Sequence, residues 1–212
     1  MTRSRMMMLA AMTLVTGAST AAAQGLQMTI QPDSKLDLAG SSNVHDWTCK
    51  STTFVANVEV DVAFATHPLT QVAKPISKVS VTIPVKTLKC GHGKMDDNMY
   101  KALSAEKYPD IQYTLGTYTV DPASVTADTF IANTVGDLTV AGQTIKVSIP
   151  IKAQRLAGGA ARGEGSVNLK MTDVGIKPPV ALLGTLRTRD AITISFHVLL
   201  DRSVVVALSS QA

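Results

Sequence analysis

Alternation of apolar and polar side chains restricts this chain more than any other feature. From position 54 to 64, Phe54, Ala56, Val58, Val60, Val62 and Phe64 share one face, while Asn57, Glu59 and Asp61 take the other. Successive strand residues point to opposite faces, so a period of two predicts a strand with one dry face and one wet face. Val79, Val81, Ile83 and Val85 repeat the pattern against Ser80 and Thr82. Ile145, Val147, Ile149 and Ile151 oppose Lys146, Ser148 and Lys152, and Ile192, Ile194, Phe196 and Val198 oppose Thr193, Ser195 and His197. Weaker strands read at 26–31, 34–38, 111–120, 129–140 and 166–171, with a last apolar run at 204–208. Asp121-Pro122 and Ala141-Gly142 punctuate them, and 158–165 reads as a flexible glycine-rich loop. Pro84 and Pro150 sit on polar faces of strong strands; each lacks a ladder donor, which predicts an edge, a bulge or a strand end.

One segment departs from this period. Met95, Met99 and Leu103 recur at i, i+4 and i+8, with Tyr100 and Ala102 beside them. Asp96 and Asp97 lie early and Lys101 late, as the helix dipole favours. A helix of about three turns is expected, ending before Tyr108-Pro109 because the residue before proline avoids the helical region. The fold class is therefore all-β and antiparallel, with about eight strands and one short helix. Such strands either stack as a sandwich or close into a barrel, and the pattern alone leaves both open. A barrel of about eight strands has room for its own side chains or for one ligand. The stripes are rich in Val, Ala and Ile, and aromatics make up only 4% of the chain, so its interior would fill poorly. Met95, Met99 and Leu103 fit either an adaptable lid or a plug in a packed core.

The first residues read as an export signal. Arg3 and Arg5 precede an apolar run from Met6 to about Ala18, and Ala21-Ala22-Ala23 offers a small-residue cleavage site. The run is shorter than the ~20 residues that a membrane span needs. The expected layout is a signal peptide at 1–23 and one domain at 24–212, periplasmic or secreted, with no integral membrane segment. Losing Arg3 and Arg5 removes two charges from a formal net charge of +4, and the lysines are scattered, so nucleic-acid binding is not supported. The two cysteines, Cys49 and Cys90, both lie in the exported part, where a pair reads first as a disulfide.

Several stretches resemble the YceI-like family. The run Gly136-Asp137-Leu138-Thr139-Val140-Ala141-Gly142-Gln143-Thr144-Ile145-Lys146-Val147 is similar to its G-x-L-T-x-x-G-x-T-x-x-V hairpin. The helix from Asp97 runs into Lys107-Tyr108-Pro109-Asp110-Ile111-Gln112-Tyr113, which resembles the family's helix, K-Y-P and strand. Met171-Thr172-Asp173-Val174-Gly175-Ile176 resembles a late D-F-G-I turn, and Ser42-Asn43-Val44-His45-Asp46-Trp47 an early motif. The resemblance implies a lipocalin-like barrel of roughly eight strands, exported in many members. It also implies an elongated channel for a polyisoprenoid or fatty-acid derivative. Two features depart from the pattern: the helix carries Met99, Tyr100 and Leu103 in place of paired phenylalanines, and the cysteine pair is not general in the family.

No residue pattern points to catalysis. His45 and Asp46 are adjacent and would face opposite ways on a strand, and no G-x-S-x-G elbow accompanies them. Trp47 reads as a barrel-end packing residue and His45 as a partner for loop backbone. Asp96 and Asp97 do not face each other on a helix, so they form no paired-carboxylate site. His67 and His197 read as surface residues. The chain is thus expected to be a non-enzymatic carrier for transport or storage of a long apolar ligand, with no cofactor beyond that lipid or isoprenoid. The expected contacts are Phe54, Val58, Val81, Ile83, Phe130, Leu138, Ile149 and Phe196 on strands, and Met95, Met99, Tyr100 and Leu103 on the helix. Tyr108 and Tyr113 join them, with Tyr100, Tyr108 or Tyr113 as the hydroxyl for a polar head. Two alternatives stay open. One is a metal or redox protein using His45, Cys49, Cys90 and His92, a ligand set suited to zinc or copper. The other is a ligand-free structural module. The expected partner is a small apolar molecule, and a homodimer is compatible with the sequence.

Overall fold

A computed structural model describes residues 25–181 and 184–202. The expected signal peptide and the apolar run at 204–208 lie outside the described residues.

The strands are β1 (Gly25–Ile30), β2 (Lys35–Ser42), β3 (Asp46–Ser51), β4 (Val55–Asp61), β5 (Ile76–Pro84), β6 (Asp110–Val120), β7 (Thr129–Val140), β8 (Gln143–Arg155), β9 (Ala161–Lys170), β10 (Val180–Ala181) and β11 (Leu186–Arg202). All their pairings are antiparallel. Eight of them form a closed ring in the order β1-β4-β5-β6-β7-β8-β9-β11, and β11 returns to β1. Closure, and not a sandwich, therefore satisfies the strand edges.

The length of β11 explains the two extra strands. Its last residues pair with β1 from Leu200 to Arg202, and its earlier part pairs with β2 from Thr188 to His197. β1 and β2 thus follow one another along a single neighbour. Between them Ser34 is buried, its hydroxyl accepting from the Leu199 N–H at 2.9 Å and donating to the Leu199 carbonyl at 3.2 Å. β3 folds back on β2, and a single backbone bridge, Lys50 to Lys89, joins it onward to the segment after β5. The Cys49–Cys90 disulfide lies beside that bridge. It staples the barrel end where the ladder is thinnest.

Three expectations are corrected. The stripe from Phe54 to Phe64 is strand only to Asp61. Val62–Thr66 is a helix, α1, because the Asp61 carboxylate accepts the Ala63 N–H at 2.7 Å and caps it. Phe64 then plugs one end of the barrel, 2% exposed, while Val62 is left in water. The loop expected at 158–165 is a turn only near 157–160, since β9 already begins at Ala161. β6 does not alternate throughout: the register shifts between Leu115 and Thr117, and the bulge at Gly116 turns Tyr118 and Val120, both half-buried, against a buried cluster. Pro84 ends β5, as expected, and Pro150 lies where the β8–β9 ladder stops, next to the Ile151–Gly165 pair.

The expected helix is α2, Gly93–Ala102. It lies across the end opposite Phe64, where Leu103, Val85, Leu88, Leu138, Val140 and Met171 belong to one buried cluster. At the other end Met28, Val58, Val60, Phe64, Leu69, Phe130, Ala132 and Leu200 form a second. Two packed ends leave the middle to be accounted for.

Candidate functional site

The middle is a cavity of about 890 Å³. That is near the upper limit of the ~300–1,000 Å³ typical of ligand sites. Its wall runs round the barrel through Leu36, Leu38, Ala56, Val79, Val81, Ile151, Val167, Leu169, Ile192, Ile194 and Val198. Val79, Val81, Ile192, Ile194 and Val198 point inward yet remain only half-buried, because they face empty space in place of one another.

Aromatic placement keeps this space open. A β-carbon on Gly40 would stand 2.3 Å from the ring of Trp47, its cross-strand partner. One on Gly165 would stand 2.5 Å from Cζ of Phe196, again the cross-strand partner, and one on Gly136 would stand 2.6 Å from the Tyr113 ring. Each of these rings lies against a neighbouring glycine. The ring gains wall contact that a side chain there would deny it.

The two ends differ chemically. Toward Phe64 the lining is Ile30, Val60, Phe130, Ala153 and Ala161, and the floor is latched from outside by Arg155. The Arg155 guanidinium donates to the Phe64, His67 and Ala127 carbonyls and to the Asp128 carboxylate, the last at 2.6 Å. Toward α2 the lining becomes polar and exposed, with His45, Asp46, Thr48, His92, Lys94, Asn98 and Lys170. This end is the mouth.

α2 is held over the mouth by contacts with the segment before it. The Asp96 carboxylate is buried and accepts the Cys90 N–H at 2.7 Å, with Lys89 Nζ at 3.7 Å. Asp96 therefore fixes the approach to the helix, beyond the dipole role its position suggested, while Asp97 is exposed. Met95, Met99, Ala102 and Leu103 turn toward the cavity.

Phe54, Val58, Val81, Ile83, Phe130, Leu138, Ile149 and Phe196 all line the cavity, as do Met95, Met99, Leu103 and Tyr113. Tyr100 and Tyr108 lie off it. The Tyr100 hydroxyl is used by the Lys86 and Leu88 carbonyls, at 3.0 and 2.8 Å, and accepts from Lys89 Nζ at 2.8 Å. The Tyr108 ring covers Gly142 at the β7–β8 turn. Tyr113 is thus the one tyrosine of the three whose ring reaches the cavity. Its hydroxyl makes a long bond of 3.4 Å to Thr134 Oγ1, and burial pushes it above the ordinary phenol range.

Sequence reasoning missed Leu36, Leu38, Val167, Leu169, Val174 and Ile176. The first pairs lie on strands interrupted by polar or glycine residues. The last two belong to the segment that fills the gap where β8 and β9 part, in one cluster with Val147 and Ile149. His45 holds the Asp46 carbonyl through Nδ1 at 2.9 Å, and Trp47 lies over Gly40 on the cavity wall. His67 pairs with Thr66, and His197 Nδ1 stands 3.1 Å from Glu164 Oε1 on the outer surface. The disulfide consumes both sulfurs of the His45, Cys49, Cys90 and His92 set, so that four-ligand site does not form.

A closed antiparallel barrel around an apolar cavity, floored at one end and lidded by a short helix at the other, defines the class. The YceI-like domain matches residues 25–200. The chain belongs to the YceI-like family. Comparison with curated proteins gives no match. Among solved structures, BcnA from Burkholderia cenocepacia is similar at a TM-score of 0.60 and 17% identity, over 78% of this chain and 95% of that one. A polyisoprenoid binding domain from Saccharophagus degradans gives 0.61 and 13%, over 84% and 99%. A mutant Campylobacter jejuni YceI protein with a monobromobimane guest gives 0.51 and 18%, over 71% and 81%. At such identities the likeness is one of fold.

Proposed function

We propose that this chain is an exported carrier that holds one long apolar molecule in its barrel, for transport or storage. A polyisoprenoid, a fatty acid or a related lipid would fit. The observation that carries this reading is the cavity itself, about 890 Å³ and walled by half-buried aliphatic side chains. Burial contributes about 0.8 kcal/mol per methylene, so a chain of about fifteen gains about 12 kcal/mol before the costs of association. Those costs run from about 4 to 15 kcal/mol, so usable affinity needs no charged contact. The polyisoprenoid binding domain of similar fold supports the choice of ligand class. Tyr113 is positioned to hydrogen-bond a polar group on the guest.

Export is supported by Arg3, Arg5 and the apolar run after them, and by a disulfide that reducing compartments disfavour. Among the described residues no helix is long and apolar enough to cross a membrane. Binding without catalysis is favoured because the polar lining residues other than Tyr113 and Arg162 gather at the rim, away from the apolar interior.

Organic extraction of purified protein, followed by mass spectrometry, tests the reading. Extracts should contain a stoichiometric long-chain lipid, and native mass spectrometry should show its mass on the protein. Protein that is empty, and that takes up no added lipid, would overturn it.

A further inference from the structure

The mouth of the barrel keeps two large apolar side chains in water. Val44, in the turn between β2 and β3, is 67% exposed, and Val180, in β10, is 56% exposed. Backbone pairing sets them on either side of Arg187. Val180 is its partner across β10 and β11. Asn43, the neighbour of Val44, donates its N–H to the Arg187 carbonyl at 3.1 Å and accepts from the Arg187 N–H through Oδ1 at 2.8 Å. Adjacent strands lie about 4.8 Å apart, so Val180 and Asn43 are about 10 Å apart, and Val44 follows Asn43 in the turn, its N–H held by the Ser42 hydroxyl at 3.1 Å.

Charge at this rim is uneven. Lys94, Lys177, Arg187 and Arg189 are exposed, and none is in an ion pair among the described residues. Asp173 accepts the Lys170 N–H at 2.9 Å, and Asp190 accepts from Thr172 N–H and hydroxyl at 3.0 and 2.7 Å. Asp46, Asp97, Asp173 and Asp190 are the acids of this rim, and with Lys101 and Lys170, which are exposed as well, the cations outnumber them six to four. Lys94 and Asp46 also line the cavity, so rim and mouth are one continuous surface.

We infer that this rim docks on a phospholipid bilayer. Val44 and Val180 enter the boundary between headgroups and acyl chains, and the cations meet lipid phosphates. The inference rests on the proposed apolar cargo. A long chain moving through water faces a penalty of about fourfold in population for every methylene exposed, and a mouth seated on the bilayer avoids that passage. The patch suits a bilayer better than a protein partner. A stable protein interface buries ~800 Å² per side around aromatic anchors, whereas this rim offers two short aliphatic tips among cations.

Vesicle flotation tests the docking. The wild type and the double variant Val44→Glu/Val180→Glu are mixed with phosphatidylcholine vesicles containing phosphatidylglycerol and centrifuged through a density gradient. Uptake of cis-parinaric acid is measured separately in vesicle-free buffer. The wild type should float, the variant should partition at least tenfold less, and parinaric acid uptake should be equal in both. A wild type that stays below the vesicles, or a variant that floats as well as the wild type, overturns the docking. Failure to take up parinaric acid would count against the carrier reading alone, because flotation does not depend on it.

Discussion

The Cys49–Cys90 bond spans 41 positions of sequence. Closing a loop of that length removes about 13 cal/mol/K of entropy from the unfolded chain, which is about 4 kcal/mol at 25 °C. In this barrel the bond also carries local weight. β3 is joined to the segment after β5 by the Lys50–Lys89 bridge, with two backbone bonds of 2.8 Å, and by the disulfide. Cys49 is 1% exposed, so serine there would bury a hydroxyl, and alanine is the better replacement. For a domain of this size each kcal/mol moves the midpoint by about 2–4 °C, so Cys49→Ala/Cys90→Ala should melt about 8–16 °C lower. Circular dichroism on the double variant reads the shift. The wild type reduced under unfolding conditions and refolded with its thiols blocked from reoxidation separates the lost bond from the lost sulfur volume. Both should also release a bound fluorescent fatty acid faster, because the bond anchors the approach to α2. A midpoint within about 3 °C of the oxidised wild type would refute the reasoning, since the mouth end would then be closed without it.

Replacing Ile194 by Trp puts an indole into the lumen from an inward, half-buried site; fatty-acid uptake should fall at least tenfold while the melting midpoint moves by only a few degrees. Arg155→Ala unlatches the floor by leaving the Phe64 and His67 carbonyls without their donor and the Ala127 carbonyl with the Leu69 N–H alone, and urea titration should show a loss of about 2–4 kcal/mol. The Tyr113 phenol is raised above its ordinary value of 10.0 by burial, so its contribution to stability is complete below about pH 10 and is lost as pH climbs through the raised value. Denaturant midpoints measured from pH 9 to 11 should therefore fall less steeply in Tyr113→Phe than in the wild type.

The strong strands were legible because one face of each meets water, and a period of two records that directly. β5, β8 and β11 fall on the strong stripes, and β7 falls on the weaker one at 129–140. The helix was legible for the same reason at its own period. What was hidden did not disturb hydrophobic pattern in a readable way. The bulge at Gly116 swaps faces within one residue, so Tyr118, outward by simple alternation, packs half-buried against a core cluster. Gly165 looks like a loop residue until the Phe196 ring it accommodates is seen. β2 carries Gly40 and Ser42 at inward positions after Leu36 and Leu38, so its stripe is faint although Leu36 and Leu38 line the cavity.

By itself the sequence determined an all-β antiparallel chain and the helix α2, though not α1, because side-chain direction in a strand or helix follows from local backbone geometry. It also limited the cysteines to a single pairing. Whether the strands closed, and around what, was decided by tertiary structure. Closure depends on β11 being long enough to meet both β1 and β2, and on a bridge and disulfide completing the mouth. The open lumen depends on rings lying against glycines of neighbouring strands. These are contacts between residues far apart in sequence, and periodicity within a segment carries no record of them.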